Sequence, residues 1–192
     1  TFILIVVYLI LANSKIDNYT NTHTYNTESQ KNGEQYILPK KIFAYYHDFP
    51  TNKVIQAHYE NWKRKIPNWE IIFLDQHTVI KYLDAEGIKY LKTLKPIQFS
   101  DYLRFYLLKT YGGLWMDAGI IIFDGKFIDK YYNEMIKYKY DICVYEYRMH
   151  TTHPNMPHYE NWFLMAPKNS VYIIDIYDQY IKAIQMGFLN YK

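Results

Sequence analysis

Asp101 and Arg104 stand three residues apart, and Asp117 follows them beyond a Gly112-Gly113 pair. On a helix, residues three apart share a face, and with Ser100 as N-cap this pair is expected in the first turns, near the positive end. An isolated Asp-x-x-Arg reads first as a surface ion pair worth under about 1 kcal/mol. The reading changes when that helix runs through two glycines into a strand that ends at Asp117, because two acids and a guanidinium can then converge on one crevice. Arginine offers planar paired donors that suit phosphate or carboxylate. A strand-end aspartate offers a hard oxygen ligand for Mg²⁺ or Mn²⁺, with a turn or cap residue as the alternative.

The elements needed to position these residues are visible in the pattern. Residues 98–123 (QFSDYLRFYLLKTYGGLWMDAGIIIF) predict a helix with Leu103, Leu107 and Thr110 on one face. Gly112 fits the residue that ends it, and Gly113 frees the chain to reverse. Residues 114–116 then form a strand that places Asp117 at its carboxyl end, where ligands bind in open α/β sheets. Gly119 permits a close turn before a second apolar run, residues 120–123.

Upstream, residues 41–46 (KIFAYY) read as a strand. A helix capped by Thr51 or Asn52 follows, with Ile55, Tyr59, Trp62 and Ile66 on one face. Pro67 stops it, residues 69–74 (WEIIFL) form a second strand, and helical residues surround positions 78–83. Downstream, strands are expected at 142–145 and 161–166, and a helix capped by Ser170 carries Ile173, Ile176, Tyr177, Tyr180 and Ile184 on its apolar face. The alternation predicts an α/β domain with a mostly parallel sheet flanked by helices.

Composition narrows the function. The 192 residues suit one domain, and Tyr 23, Phe 10 and Trp 4 are far more aromatic than a disordered chain carries. A net charge of +3 is too small and scattered for a nucleic-acid surface, so no nucleic-acid partner is expected. The short KYKY patch at 137–140 reads as a solvated helix end. The single cysteine, Cys143, excludes an internal disulfide and reads as a small buried residue. His150, His153 and His158 lie in a proline-containing stretch whose spacing fits no standard zinc template, so structural or rim histidines are expected.

At the amino end, residues 2–12 (FILIVVYLILA) are uncharged and apolar, shorter than the roughly 20 residues of a membrane-spanning helix. They read as a signal peptide or a truncated signal anchor, with a buried strand as the alternative. The chain starts at Thr1, which reads as a fragment or a processed product. Residues 13–36 are polar, read as a stem, and carry an Asn-x-Thr sequon at Asn18. Residues 37–192 form the globular domain.

From about Ile37 to Ile184 the chain resembles a GT-A (Rossmann-like) nucleotide-diphospho-sugar transferase, of glycosyltransferase family 32 and the capsular polysaccharide synthesis proteins. The large clostridial glucosylating toxins are more distant relatives. The resemblance rests on Ser100-Asp101-Tyr102-Leu103-Arg104 and Tyr111-Gly112-Gly113-Leu114-Trp115-Met116-Asp117, supported by Leu38-Pro39-Lys40-Lys41-Ile42, by Asn161-Trp162-Phe163 and by Ala166-Pro167. It implies that Asp101 and Arg104 contact the donor sugar, and that Asp117 begins the Asp-x-Asp element that binds the diphosphate through Mn²⁺ or Mg²⁺. It places Trp115 beside the donor, Tyr45 or Tyr46 against the nucleobase, and Asn161 at the rim near the reacting carbon. Sheet-core tyrosines are the alternative for Tyr45 and Tyr46. The families' domain continues beyond the position of Lys192.

One departure stands out: Gly119 occupies the place of the second aspartate. Asp124 is some 20 Å of extended chain from Asp117 and cannot share its ion. A hexacoordinate cation can still be held by one carboxylate, diphosphate oxygens and waters, and capsular-type relatives tend to lack the second acid. The resemblance implies transfer of a hexose, with retention, from a UDP- or GDP-linked donor to a hydroxyl of a glycan or glycoconjugate. No residue identifies a covalent nucleophile. Together with the apolar run at residues 2–12, the expected localisation is a single-pass type II membrane protein, of the Golgi or secretory lumen in a eukaryote, or of a bacterial inner membrane or viral equivalent. Two other readings stay open: a catalytically inactive sugar-nucleotide or glycan-binding relative, and a tethered interaction protein using exposed aromatics.

Overall fold

A computed structural model describes residues 8–12, 35–146 and 159–188. The stem with Asn18, and His150, His153 and His158, lie outside the described residues. Six strands form one sheet in the order β1-β5-β6-β4-β2-β3. They are β1 (Tyr8–Ala12), β2 (Lys41–Tyr45), β3 (Glu70–Leu74), β4 (Gly113–Met116), β5 (Ile142–Glu146) and β6 (Tyr159–Ala166). β2 pairs in parallel with β3 and β4, whereas β6 is antiparallel to β4 and β5, and β1 is antiparallel to β5. Four strands therefore point one way, β1 and β6 the other. The sheet is mixed, with its parallel part where β2 and β4 deliver their carboxyl ends side by side.

Period-2 alternation divides the core into two layers. Phe43, Tyr45, Trp115, Val144 and Leu164 face α2 (Ala85–Thr93), α3 (Pro96–Tyr111) and α5 (Val171–Met186). Their neighbours Ile42, Ala44, Leu114, Met116, Cys143 and Phe163 face α1 (Lys53–Lys65) and α4 (Lys126–Tyr138). Cys143 is fully buried, as expected, and burial pushes its thiol pKa up.

The expected strands and the α1 and α5 caps are present. Asn52 accepts from the Val54 and Ile55 amides, and Ser170 Oγ from that of Ile173. Residues 79–82 form a single 3-10 turn. α2, which the hydrophobic pattern does not predict, is capped by Asp84 and buries only Gly87 and Tyr90.

The start of α3 differs from the sequence reading. Ser100 does not cap it; the helix opens at Pro96, whose fixed φ suits a first helical position, and the Gln98 side chain accepts the Lys95 amide at 3.2 Å. Asp101 and Arg104 are therefore mid-helix, and the dipole at the helix start does not act on them. α3 is buried at every position from Tyr102 to Leu108 because it lies between the sheet and α5.

At the amino end, Tyr8–Ala12 is the edge strand beside β5. Among the described residues no helix is long and apolar enough to cross a membrane.

Candidate active site

The Gly112-Gly113 turn fixes the relation between α3 and β4. Gly112 has φ +69 and lies against the backbone of Pro167 and Lys168; Gly113 has φ +115, and a Cβ there would fall 2.7 Å from the Lys41 carbonyl. These are positions only glycine fills without strain. The turn lets α3 double back over the face of β4 that carries Trp115.

Arg104 then reaches the carboxyl end of β4 with its side chain only 5% exposed. Its Nη2 lies 2.8 Å from Asp101 Oδ1 and 3.6 Å from Asp117 Oδ1, and its Nη1 donates to the Asn161 carbonyl at 2.7 Å. The guanidinium carbon sits 5.3 Å from the Trp115 ring centroid, a cation–π contact. Trp115 Nε1 donates to Asp117 Oδ1 at 2.8 Å, and the Asp117 amide donates to the Trp162 carbonyl at 2.9 Å. Asp101, Arg104, Trp115 and Asp117 thus form one connected group. Nε of Arg104 has no hydrogen-bond partner among the described residues. Burial raises the Asp101 pKa; the guanidinium lowers it and Asp117 raises it further, with the increase prevailing.

A cavity of about 450 Å³ opens beside this group, lined on one side by Tyr45, Tyr46, His47 and Asp48, on another by Pro96, Ile97 and Ser100, and at its base by Arg104, Asp117, Ala118 and Gly119. Of the sequence candidates, Tyr45, Tyr46, Arg104 and Asp117 line it. Tyr45 is also a core residue: its hydroxyl lies 3.0 Å from His47 Nδ1 and its ring meets Phe99 edge-on. Burial, with the nearby Asp75 and Asp48 charges, pushes its pKa up to about 12, so the hydroxyl stays neutral. Trp115 is fully buried behind Arg104 and Asp117 rather than in the wall. Asn161 meets Arg104 through its backbone carbonyl, while the residue itself is exposed.

His47 and Asp48 were not singled out, although they directly follow a predicted strand, where the ligand-side rule points. His58 and Asn61 carry no local signal, and Trp62 reads from the sequence only as part of the apolar face of α1. From α1 they hold the segment after Asp117: His58 Nδ1 lies 3.0 Å from the Ala118 carbonyl, Trp62 Nε1 donates to that of Ile120 at 2.8 Å, and the Asn61 amide exchanges two hydrogen bonds with Ile122. These alternate backbone groups are paired by a helix face where a neighbouring strand would otherwise serve.

Asp101 and Asp117 flank the one guanidinium and Asp48 lines the same cavity, so an anionic ligand would need a further positive charge to enter. Asp117, with 42% of its side chain exposed at the cavity, is the group that would hold a hard divalent cation. Among the described residues no cluster of three or more His, Cys, Asp or Glu side chains is placed to hold a metal alone. The donor set therefore fits an ion completed by phosphate oxygens and waters, and does not fit a closed zinc site.

Comparison with known proteins agrees with this architecture. Among solved structures, the chain is similar to one described as PaToxG Glycosyltransferase, with a TM-score of 0.51 and 16% identity, over 78% of this chain and 62% of that one. The chain thus spans less than two thirds of that structure's length, and at this identity the likeness is one of fold. No curated protein matches it by sequence. The sequence profile of the family described as "Capsular polysaccharide synthesis protein" matches residues 8–186, from β1 to the end of α5. With the glycosyltransferase-like α/β sheet and the Asp101–Arg104–Asp117 group at its mouth, that match makes the chain a member of the capsular polysaccharide synthesis protein family.

Proposed function

We propose that the chain is a glycosyltransferase that moves a hexose, with retention, from a UDP- or GDP-linked donor to a hydroxyl of a glycan or glycoconjugate. The observation that carries this is the desolvated Arg104, held between Asp101 and Asp117 at the cavity base where β2 and β4 end together. A guanidinium already paid out of water and fixed by its partners loses little freedom on meeting an oxygen-rich ligand.

In this reading Asp101 orients Arg104, and Arg104 binds and aligns the donor. Tyr45 and Tyr46 offer aromatic surface to the base, and Trp115 keeps the Asp117 carboxylate in place through its indole N–H. Asp117 would hold Mn²⁺ or Mg²⁺, which when bound supplies positive charge to the departing diphosphate. The cavity volume accommodates a nucleotide-sized ligand.

Gly119, which brings no second carboxylate to the ion, favours one other reading: a relative that binds a sugar nucleotide without turning it over. Nucleotide release from a panel of UDP- and GDP-sugars with Mn²⁺, in wild type and Asp117→Asn, separates the two. Release in wild type that Asp117→Asn abolishes supports transfer or donor hydrolysis at this site. Tight nucleotide binding without release supports the silent relative, and neither binding nor release refutes both.

A further inference from the structure

Residues 120–124 lead away from the cavity without regular secondary structure, and Ile121 and Phe123 face outward on either side of Ile122. Ile122 is buried, whereas Ile121 is 50% and Phe123 85% exposed. Exposing a phenylalanine to this degree forfeits the burial that would ordinarily fold it inward. It is held there because Trp62 and Asn61 bind the backbone at Ile120 and Ile122, turning the two outward side chains into a fixed ridge.

Cations border this ridge. Arg64 and Lys65 follow Asn61 at i+3 and i+4, one helical turn of about 5.4 Å further along α1. Gly125, two residues past Phe123, lies against the Lys65 carbonyl and Ile66, and Lys126 opens α4 directly after it. Arg64, Lys65 and Lys126 are exposed, and none has an ion-pair partner among the described residues. Glu60 is paired with Lys63 and Asp129 with Lys40, while Asp124, whose Oδ1 accepts the Lys126 amide, keeps its charge, leaving three cations against one acid along the ridge.

We propose that this ridge docks the protein on an anionic lipid surface, with Phe123 and Ile121 entering the interfacial region and Arg64, Lys65 and Lys126 facing the head groups. Two protruding apolar side chains supply far less than the roughly 800 Å² per partner of a stable protein interface. An aromatic wedge ringed by unpaired cations is what an anionic membrane surface recognises. The same segment begins at Ala118 and Gly119 in the cavity wall, so docking brings the cavity mouth to within about 15 Å of the surface.

The test is co-sedimentation of the full chain with phosphatidylcholine vesicles, with or without roughly one-third phosphatidylglycerol. It is read without any turnover. Binding is expected only to the anionic vesicles, and screening should abolish it at about 0.5 M salt. Each cation near such a surface multiplies partitioning about fivefold. The triple variant Arg64→Gln/Lys65→Gln/Lys126→Gln should therefore lose on the order of 100-fold. Phe123→Ser should lose on the order of 10-fold. Lys81→Gln/Lys89→Gln/Lys92→Gln, which removes equal charge from the far side, should bind as wild type. Equal loss in both triple variants, binding indifferent to lipid charge, no vesicle binding, or a dimer that Phe123→Ser dissociates without any effect on vesicle binding would each overturn the proposal.

Discussion

Asp101→Asn removes one charge from the site while keeping its shape. The 2.8 Å contact from carboxylate to guanidinium is a charged hydrogen bond of about 1.5–3 kcal/mol, and the amide oxygen that replaces it accepts without the charge and so retains only part of that. Against this, burial raises the Asp101 pKa by more than the guanidinium lowers it, so the neutral amide escapes a desolvation cost that the carboxylate bears. Arg104 also keeps the Asn161 carbonyl and Asp117. The opposing effects are similar in size, leaving a net change of about 1 kcal/mol or less and a Tm shift of about 2–4 °C. Donor alignment has no such offset. A guanidinium released from one side and displaced by about 1 Å costs about 100-fold in kcat/KM for nucleotide release. The pH dependence has a defined sign. Because the folded-state pKa of Asp101 lies above its unfolded value of about 3.9, its contribution to stability is present below that pH and is lost as pH rises through the folded value. Wild type therefore loses stability relative to Asp101→Asn across that window, as paired thermal melts would read. Unchanged kcat/KM together with a Tm lowered by more than about 10 °C would make the pair a structural brace and refute the reasoning.

Gly113→Ala should cost about 2 kcal/mol or more by urea unfolding, since φ is +115 and the new Cβ meets the Lys41 carbonyl. Gly119→Asp should fold within about 0.5 kcal/mol of wild type, because nothing lies within 4 Å of a Cβ there. By placing a second carboxylate near Asp117 it should also tighten Mn²⁺ binding in calorimetry; unaltered affinity counts against Asp117 as the ion's ligand. Asn61→Leu deletes both hydrogen bonds to the buried Ile122 and should lower stability by about 1–3 kcal/mol, with Asn61→Asp recovering only the acceptor half. The Cys143 thiol, buried and with its pKa raised, should resist a thiol reagent until the chain unfolds.

The amino-acid order by itself determines strands β2 to β6, the α1 and α5 caps, the double-glycine turn and the acid at the end of β4, since each depends on residues within a few positions of one another, whereas β1 lies in the apolar run that reads first as a signal peptide or anchor. The i, i+3 relation of Asp101 and Arg104 follows from helical geometry alone. Where α3 begins was not legible, because the Pro96 start competes with an equally good local cap at Ser100. α2 escaped notice because its short, glycine-containing stretch gains its place by packing on α3. Only the tertiary structure decides that Trp115 lies behind Asp117 while its neighbours Leu114 and Met116 face the opposite layer, that the Asn161 carbonyl meets Arg104 from β6, and that His47 and Asp48 wall the same cavity. Those contacts join segments roughly 60 to 70 residues apart, and their geometry is set by sheet order and pleat, which no local run of residues encodes.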